Sequence, residues 1–319
     1  MRTIVVNQGA LGDLLVSIPA LRLMRKHRGD FTLAGEPERC LFLKASGEVS
    51  SVFPTNSAAF AQLYSGSIPP HLDYFNDIWW FTRRRGLVPT ILMMPDAEKQ
   101  ATVVFTVDES PDQTNCSVFQ FNQVKSLLGL EDEDINDYLQ PFVYAKPLEE
   151  RRLFDLAVHP GSGSPKKNID LEIFFRVTTK VLEEHPQMTC CYILGPAEQE
   201  ITPKVEDFAL KWDGRIKIAN CFDLKSLSEL LGSTKLFWGN DSGITHLAAW
   251  CGTRTLVNFG PTNPRLWRPI CGNVSVLQSH VACSPCGEMY NRCEELACLK
   301  NIDESAAFSQ LQKWLEQSK

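Results

Sequence analysis

The chain has 319 residues, of which 44% are hydrophobic and 22% are charged, and its formal net charge at pH 7 is −6. The composition is that of an ordinary globular protein, and the length is sufficient for two α/β domains with full cores. The acidic balance argues against a general nucleic-acid-binding protein, which needs clustered positive charge. No apolar run is long enough to span a bilayer, and the chain leads straight into a strand. We therefore expect a cytoplasmic protein without a signal peptide.

The first predicted domain, residues 1–148, opens with the strand Thr3–Val6 and a turn that contains Gly9 and Gly12. Apolar residues then recur at helical spacing, and Pro19 within this helix predicts a kink or a short 3₁₀ turn. The turn lacks the full G-x-G-x-x-G fingerprint, so a nicotinamide dehydrogenase is not favoured. Further buried strands are predicted at residues 31–34, 78–81, 90–94 and 102–106.

Asp13 follows the first turn and supports two interpretations. An acidic residue in the first turn of a helix commonly complements the helix dipole, and the residue pattern alone favours that structural role. A carboxylate at the end of the first strand can also accept the proton of an attacking hydroxyl, as a general base. The basic run at 83–85 has similar alternatives, namely a solvated loop or, through Arg83 and Arg84, contact with an acidic ligand.

The second predicted domain, residues 149–319, follows a polar linker near Lys146 and opens with the strand Leu156–His159. The next residues, 160–168, are rich in glycine, serine and lysine. Glycines admit close approach of a ligand to the backbone, and serine hydroxyls and lysine cations suit a diphosphate. A surface loop without a ligand is the alternative. The candidates in this loop are Gly161, Ser162, Gly163, Ser164, Lys166 and Lys167.

The most informative stretch is a strand, a turn of small residues, a helix and a second strand, between residues 236 and 258. The turn contains Asp241, Ser242 and Gly243 just before the helix. A helix N-terminus leaves backbone N–H groups unpaired and carries partial positive charge, which favours a bound phosphate. A simple capping turn is the alternative. Other strands are predicted at 188–194 and 216–218, and helices from 171, at 224–231 and at 304–317.

Residues 240–249, 259–264 and 267–269 closely resemble the donor-site signature of the heptosyltransferase family, which are inverting glycosyltransferases of bacterial lipopolysaccharide core synthesis. Residues 12–21 match the amino-terminal motif of the same family. The resemblance implies an α/β fold of the GT-B type, with two Rossmann-like domains that face a cleft. It also implies that the last helix packs back on the amino-terminal domain and that catalysis requires no metal cofactor.

The resemblance gives roles to individual residues. It implies that Asp13 is the general base and that Lys167 is the lysine at the donor phosphates. Ile169 and Asp170 replace the Trp-Pro pair of the family, so Lys166 stays an alternative. The nearest match to the donor-binding glutamate is Glu198, with Glu200 as an alternative. The other donor-binding candidates are Ser162, Gly163, Asp241, Ser242, Gly243, His246 and Thr262, and the acceptor-binding candidates are Gly12, Arg83 and Arg84.

By resemblance, the donor is ADP-heptose and the acceptor is a lipid-linked saccharide of the lipopolysaccharide inner core. Such an acceptor implies peripheral association with the inner face of the inner membrane. Two other functions stay open. One is transfer from another nucleotide sugar, for O-antigen or capsule synthesis, and the other is non-catalytic binding of a nucleotide sugar.

The chain contains eleven cysteines, which is many for a cytoplasmic enzyme. Cysteines at 190, 191, 221, 251 and 271 lie in or beside apolar stretches and are expected to be small core residues. Four others have the spacing C-x₂-C-x₆-C-x₄-C, and four thiolates can hold a tetrahedral zinc ion. Free thiols or partial disulfides are the favoured alternative to structural zinc. These four are Cys283, Cys286, Cys293 and Cys298.

Overall fold

The computed structural model of the protein describes residues 2–94, 99–110, 112–142, 153–220 and 223–317. The chain divides into two compact units, Met1–Leu139 and Gln140–Lys319, and each is built on one parallel β-sheet. The two parallel-sheet α/β units agree with the expected fold class. The predicted boundary between residues 148 and 149, with its linker near Lys146, lies outside the described residues.

The first unit has a five-stranded sheet with the order β3-β2-β1-β4-β5, in which every neighbouring pair is parallel. The strands are β1 (Thr3–Asn7), β2 (Thr32–Gly35), β3 (Ser51–Pro54), β4 (Asp77–Thr82) and β5 (Ala101–Phe105). The helices are α1 (Leu11–Val16), α2 (Ile18–Arg28), α3 (Pro37–Ala45), α4 (Ala58–Ala61) and α5 (Cys116–Leu127).

The first helical segment is interrupted as the sequence predicted. Helix α1 ends at Val16, and α2 begins at Ile18 with Pro19 in its first turn, where a missing backbone N–H costs no helical hydrogen bond. The Ser17 hydroxyl at the break donates to the carbonyl oxygen of Asp13 at 2.9 Å. The Ser17 hydroxyl oxygen also accepts a side-chain N–H of Asn7 at 3.1 Å, so the break connects the turn that carries Asp13 to the end of β1.

Two predictions in this unit were incomplete or wrong. Residues 90–94 do not form a strand: Thr90–Leu92 is a 3₁₀ turn, in which the Met93 N–H donates to the Thr90 carbonyl at 2.9 Å. Pro89 fixes the start of this turn, and only Leu92 within it is buried. The edge strand β3 was not predicted, because its residues are half-buried or exposed and give no continuous apolar signal.

The second unit has a six-stranded parallel sheet with the order β11-β10-β9-β6-β7-β8. Its strands are β6 (Phe154–His159), β7 (Cys190–Leu194), β8 (Ile216–Asn220), β9 (Thr234–Asn240), β10 (Arg254–Phe259) and β11 (Val274–Gln278). Its helices are α6 (Leu171–Glu184), α7 (Thr202–Leu210), α8 (Leu224–Gly232), α9 (Gly243–Trp250), α10 (Pro264–Trp267), α11 (Ala297–Lys300) and α12 (Glu304–Glu316).

Helix α12 contributes its apolar face to the core of the second unit. Ala307, Leu311, Trp314 and Leu315 are buried with residues of α6 and the sheet, and Arg254 of β10 donates to the Trp314 carbonyl at 2.9 Å. The predicted packing of this helix on the amino-terminal domain stays a prediction. In the described part of the chain, no helix combines the length and apolar character needed to cross a membrane.

Each sheet has a point where the chain reverses the direction in which it adds strands. In the first unit this point lies between β1 and β4, and in the second it lies between β6 and β9. In open α/β sheets, such a point is where a crevice forms outside the carboxyl ends of the strands, and ligands bind there. The topology therefore directs attention to the segments after β1, β4, β6 and β9.

Candidate functional site

The crevice of the second unit contains a compact group of polar side chains. The Lys167 ammonium lies 2.8 Å from Oδ2 of Asp241, and the Thr262 hydroxyl donates to the same oxygen at 2.7 Å. Lys167 comes from the loop after β6, Asp241 from the end of β9, and Thr262 from the loop after β10. Three predicted residues from three separate segments are thus brought together.

The group adjoins the N-terminus of α9. Ser242 is the N-cap of this helix, and its hydroxyl accepts the N–H of Thr245 at 3.3 Å. The N–H of Asp241 donates to the Asn258 carbonyl at 3.1 Å, which fixes the acid at the end of its strand. Gly243 is the first helical residue, and His246, one turn further, is 4% exposed. The layout predicted for 236–250 is confirmed as strand, turn and helix.

Asn240, the last residue of β9, was missed by the sequence analysis. It is fully buried, and its side-chain N–H donates to the Pro160 carbonyl at 2.7 Å. Its side-chain oxygen accepts the Ile169 N–H at 3.3 Å and an N–H of Asn258 at 3.4 Å. One side-chain amide therefore bonds to both ends of the loop that carries Lys167, at Pro160 and Ile169, and to Asn258 of the neighbouring strand β10. The only sequence signal was its position at the end of an apolar strand.

The loop that follows β6 separates the two lysines. Lys167 reaches Asp241, whereas the Lys166 ammonium donates to the carbonyl oxygens of Asn291 and Cys293 at 2.8 and 3.1 Å. The Ser162 hydroxyl donates to the Ser164 carbonyl at 2.7 Å, so it stabilises the turn of its own loop. The structure therefore gives the two adjacent lysines different partners, which the sequence left undecided.

Glu198 is buried beside the same loop, whereas Glu200 is exposed. The Glu198 carboxylate is held in one position, because the Gly195 N–H donates to Oε2 at 2.7 Å. Its other oxygen, Oε1, lies so close to Gly161 that a Cβ at position 161 would be 1.8 Å away. Only glycine at 161 leaves room for this carboxylate. Position 163 differs, since a Cβ there would meet open space.

His159, the last residue of β6, lies under Glu198 with Nε2 at 3.7 Å from Oε1, which is beyond hydrogen-bond distance. Neither ring nitrogen has a hydrogen-bond partner among the described residues. Burial lowers the pKa of His159 to about 4 and raises the pKa of Glu198. His159 is therefore a neutral imidazole at pH 7. In the sequence it is only the last residue of a predicted strand.

The crevice of the first unit contains Asp13 and Arg83, which follow β1 and β4. Oδ1 of Asp13 accepts from Nε of Arg83 at 2.8 Å and lies 2.7 Å from its second terminal nitrogen. Oδ2 accepts the N–H of Ala10 at 3.0 Å. The Asp13 side chain is 10% exposed and that of Arg83 is 52% exposed. The structure thus pairs the predicted base with a residue predicted to contact the acceptor.

The other acceptor-binding candidates lie near this pair in sequence. Gly12 is half-buried in the first turn of α1. Arg84 is exposed, and its carbonyl accepts the Thr82 hydroxyl at 3.0 Å. Gly9, in the turn before α1, has no room for a side chain, because a Cβ there would lie 2.4 Å from Cβ of Asp13. The turn after β1 is therefore shaped around the Asp13 side chain.

The four clustered cysteines carry free thiols, as do the other described cysteines. Cys221 lies outside the described residues. Among the described residues, no group of three or more histidine, cysteine, aspartate or glutamate side chains is arranged to hold a metal ion. The geometry gives the structural zinc prediction no support, and it stays untested. Burial raises the pKa values of Cys286 and Cys298, so these two thiols are neutral at pH 7.

Comparison with known proteins decides the family. The model of glycosyltransferase family 9 (heptosyltransferase) matches residues 80–297, which is more than half of the chain. The chain belongs to glycosyltransferase family 9. Lipooligosaccharide heptosyltransferase 2 of Campylobacter jejuni serotype O:2 is 26% identical over 167 residues, which cover 51% of this chain and 51% of that protein. The chain thus spans about half the length of the curated relatives it matches.

Solved structures of similar fold cover nearly the whole family 9 chain. A glycosyltransferase of family 9 from Veillonella parvula superposes with a TM-score of 0.73 at 15% identity. The match covers 99% of this chain and 97% of the Veillonella chain. E. coli ADP-heptose lipopolysaccharide heptosyltransferase II has a TM-score of 0.72 at 14% identity, with 100% and 99% covered. E. coli WaaC with ADP has a TM-score of 0.67 at 13% identity, with 98% and 100% covered. The expected GT-B fold class is confirmed.

The two loop glycines of the family 9 chain give a matched pair of variants. Gly161→Ala should force the Glu198 carboxylate out of its place and lower the free energy of unfolding by roughly 1–3 kcal/mol, as overpacking does. Gly163→Ala should change it little, because the added methyl group meets open space. Urea denaturation of both variants checks this, and equal effects would contradict the assigned role of Gly161.

Stability should also depend on pH through His159. The unfolded chain binds a proton between pH 6.5 and about 4 that the folded protein does not, so His159 contributes stability above pH 6.5 that is lost as the pH falls toward 4. Glu198 acts with the opposite sign, because its raised pKa lets the folded state keep a proton that the unfolded chain releases.

We therefore expect His159→Gln to flatten the decline of the free energy of unfolding between pH 6.5 and 4, and Glu198→Gln to steepen it. Denaturation curves at half-unit pH intervals measure both slopes. Unchanged slopes in both variants would show that the pair does not titrate in this way.

Proposed function

We propose that this protein transfers heptose from ADP-heptose to a saccharide acceptor of lipopolysaccharide, with inversion at the anomeric carbon. What supports the reaction class is membership of family 9. What supports the donor is the fold shared with E. coli WaaC, which is known in structures with ADP and with ADP-2-deoxy-2-fluoro heptose. Because the acceptor would be lipid-linked, we place the reaction at the inner face of the inner membrane.

The single observation that carries the proposal is the group of Lys167, Asp241 and Thr262 at the N-terminus of α9. A lysine ammonium, a hydroxyl and the free N–H groups of a helix start are the donors that a diphosphate requires. Asp241 holds the ammonium in place, with Nζ of Lys167 at 2.8 Å from Oδ2. A diphosphate carries more negative charge than one carboxylate, so it can attract Lys167 away from Asp241.

In the proposed mechanism, the acceptor hydroxyl oxygen attacks the anomeric carbon and the bond from that carbon to the diphosphate oxygen breaks. The electron pair leaves with ADP. Lys167 and the N–H groups at the start of α9 stabilise the charge that develops on the leaving phosphate. Asp13 accepts the hydroxyl proton as general base. Donor binding thus depends on the second unit, and proton transfer depends on the first.

Binding calorimetry with ADP-heptose, UDP-sugars and GDP-sugars, with ADP as control, tests the donor. We expect ADP-heptose and ADP to bind and the other two classes to bind weakly. Preference for another nucleotide would favour the alternative of O-antigen or capsule synthesis. Binding of ADP-heptose without transfer to lipopolysaccharide that lacks its heptose residues would favour a non-catalytic binding protein.

Asp13→Asn should abolish most of the transfer activity. The amide keeps the acceptor atom for the Ala10 N–H but cannot accept the hydroxyl proton, and a positioned general base contributes roughly 100-fold or more. Donor affinity should stay unchanged, because the donor contacts belong to the second unit. Steady-state transfer rates and calorimetry measure the two effects. Near wild-type transfer would show that Asp13 is not the base.

The two lysines provide a matched comparison for donor binding. Lys167→Met should weaken ADP-heptose affinity by about tenfold or more, the loss expected for one charge-assisted hydrogen bond. Lys166→Met should have a smaller effect, since its ammonium is bound to two backbone carbonyls. Calorimetry ranks the two variants, and the reverse ranking would assign the phosphate contact to Lys166.

A further inference from the structure

The carboxylate proposed as general base is almost fully occupied by hydrogen-bond donors. Oδ1 of Asp13 receives two nitrogens of Arg83, Nε at 2.8 Å and a terminal nitrogen at 2.7 Å. Oδ2 accepts the Ala10 N–H at 3.0 Å. An ionised carboxylate offers about four acceptor positions, two on each oxygen. Arg83 therefore fills both positions on Oδ1, and the Ala10 N–H fills one of the two positions on Oδ2.

The two partners of Asp13 differ in kind, because Arg83 contributes a side chain from an exposed loop and Ala10 contributes a backbone N–H. Asp13 is fixed in the first turn of α1, with the turn at Gly9 packed against its Cβ. Arg83 follows β4 in an exposed loop, and its side chain is 52% exposed. An ion pair with one half-exposed partner is held only weakly, because water competes for the charge. The guanidinium can therefore turn toward another anion.

We propose that Arg83 is a specificity-determining residue that covers Asp13 until an acceptor with an anionic group binds. A phosphate or carboxylate of the acceptor offers a guanidinium two oxygens side by side, a geometry that a single Asp13 oxygen does not match. When Arg83 turns to that group, Oδ1 becomes free for the acceptor hydroxyl. The inference rests on the proposed function and adds a coupling between acceptor charge and the availability of the base.

The coupling has a chemical benefit. A carboxylate that can take the proton of an acceptor hydroxyl can also take a proton from water. Water would then attack the anomeric carbon, the bond to the diphosphate oxygen would break, ADP would leave with the electron pair, and Asp13 would take the proton. The products would be free sugar and ADP. A base that stays covered in the absence of acceptor limits this hydrolysis.

The test is the release of ADP from ADP-heptose without acceptor. Arg83→Gln should raise the rate of this hydrolysis by about tenfold or more, because a positioned base contributes roughly 100-fold or more. Arg85→Gln is the matched control: it removes the same charge two residues away, in the same exposed loop, and should leave hydrolysis unchanged. The double variant Arg83→Gln/Asp13→Asn should return hydrolysis to the wild-type level or below.

Acceptor charge provides the second arm. The wild-type protein should transfer at least about tenfold faster to an acceptor with its phosphate or carboxylate groups than to the same saccharide without them, the scale of one charge-assisted contact. This ratio should fall toward one in Arg83→Gln and stay high in Arg85→Gln. Arg83→Lys keeps the charge but lacks the two adjacent N–H groups of the guanidinium, so it should hydrolyse ADP-heptose at an intermediate rate. This variant replaces Arg83→Gln if Arg83→Gln does not fold.

The outcomes separate this inference from the proposed function. Suppose that Arg83→Gln transfers to the anionic acceptor, hydrolyses ADP-heptose and discriminates between the two acceptors to the same extent as the wild-type protein. This result would overturn the role of Arg83 and leave the transferase function intact. No transfer by the wild-type protein, with ADP-heptose bound, would instead overturn the proposed function. A rise in hydrolysis that persists in the double variant would show that Asp13 is not the group uncovered.

Discussion

The candidate donor site depends on one buried amide. Asn240 is fully buried at the carboxyl end of β9, where it donates to the Pro160 carbonyl and accepts the Ile169 N–H. These two backbone groups lie at the start and the end of the loop that carries Lys167. Its own carbonyl accepts the Thr245 hydroxyl at 2.5 Å, inside the first turn of α9. Because a buried amide that loses a partner is costly, these contacts hold loop and helix start in one arrangement.

In both units, the charged groups of the candidate sites are paired with each other. Lys167 is held by Asp241 in the second unit, and Asp13 is held by Arg83 in the first. An unpaired charge in a partly buried crevice would be costly, so each group has an internal partner of opposite sign. Ligand binding then becomes an exchange of partners. In the proposed role of Arg83, this exchange favours ligands that carry charge and limits hydrolysis of the donor.

The sequence predicted the central strands and the edge strands β5 and β8, but it missed the edge strands β3 and β11. Strands such as β6 and β9 were found because burial on both faces makes them continuously apolar. The edge strand β11 was missed because all five of its residues are only half-buried. The family motifs gave predicted roles to Asp13, Lys167 and Asp241. They did not predict the pairing of Asp13 with Arg83, since 70 residues separate the two and only the parallel pairing of β1 with β4 brings them together.

The two crevices use the same topology for different chemistry, and the difference lies in what holds each acid. Asp13 takes its backbone contact from the turn before α1, so its carboxylate keeps its position whether or not Arg83 is present. Asp241 is held through its main chain by Asn258, and its Oδ2 is shared by Lys167 and the Thr262 hydroxyl. If a phosphate attracts Lys167, the Thr262 hydroxyl still satisfies Asp241. The first acid can thus be uncovered without moving, as the proposed role of proton acceptor requires. The second can release a cation without becoming unpaired, as the proposed binding of a diphosphate requires.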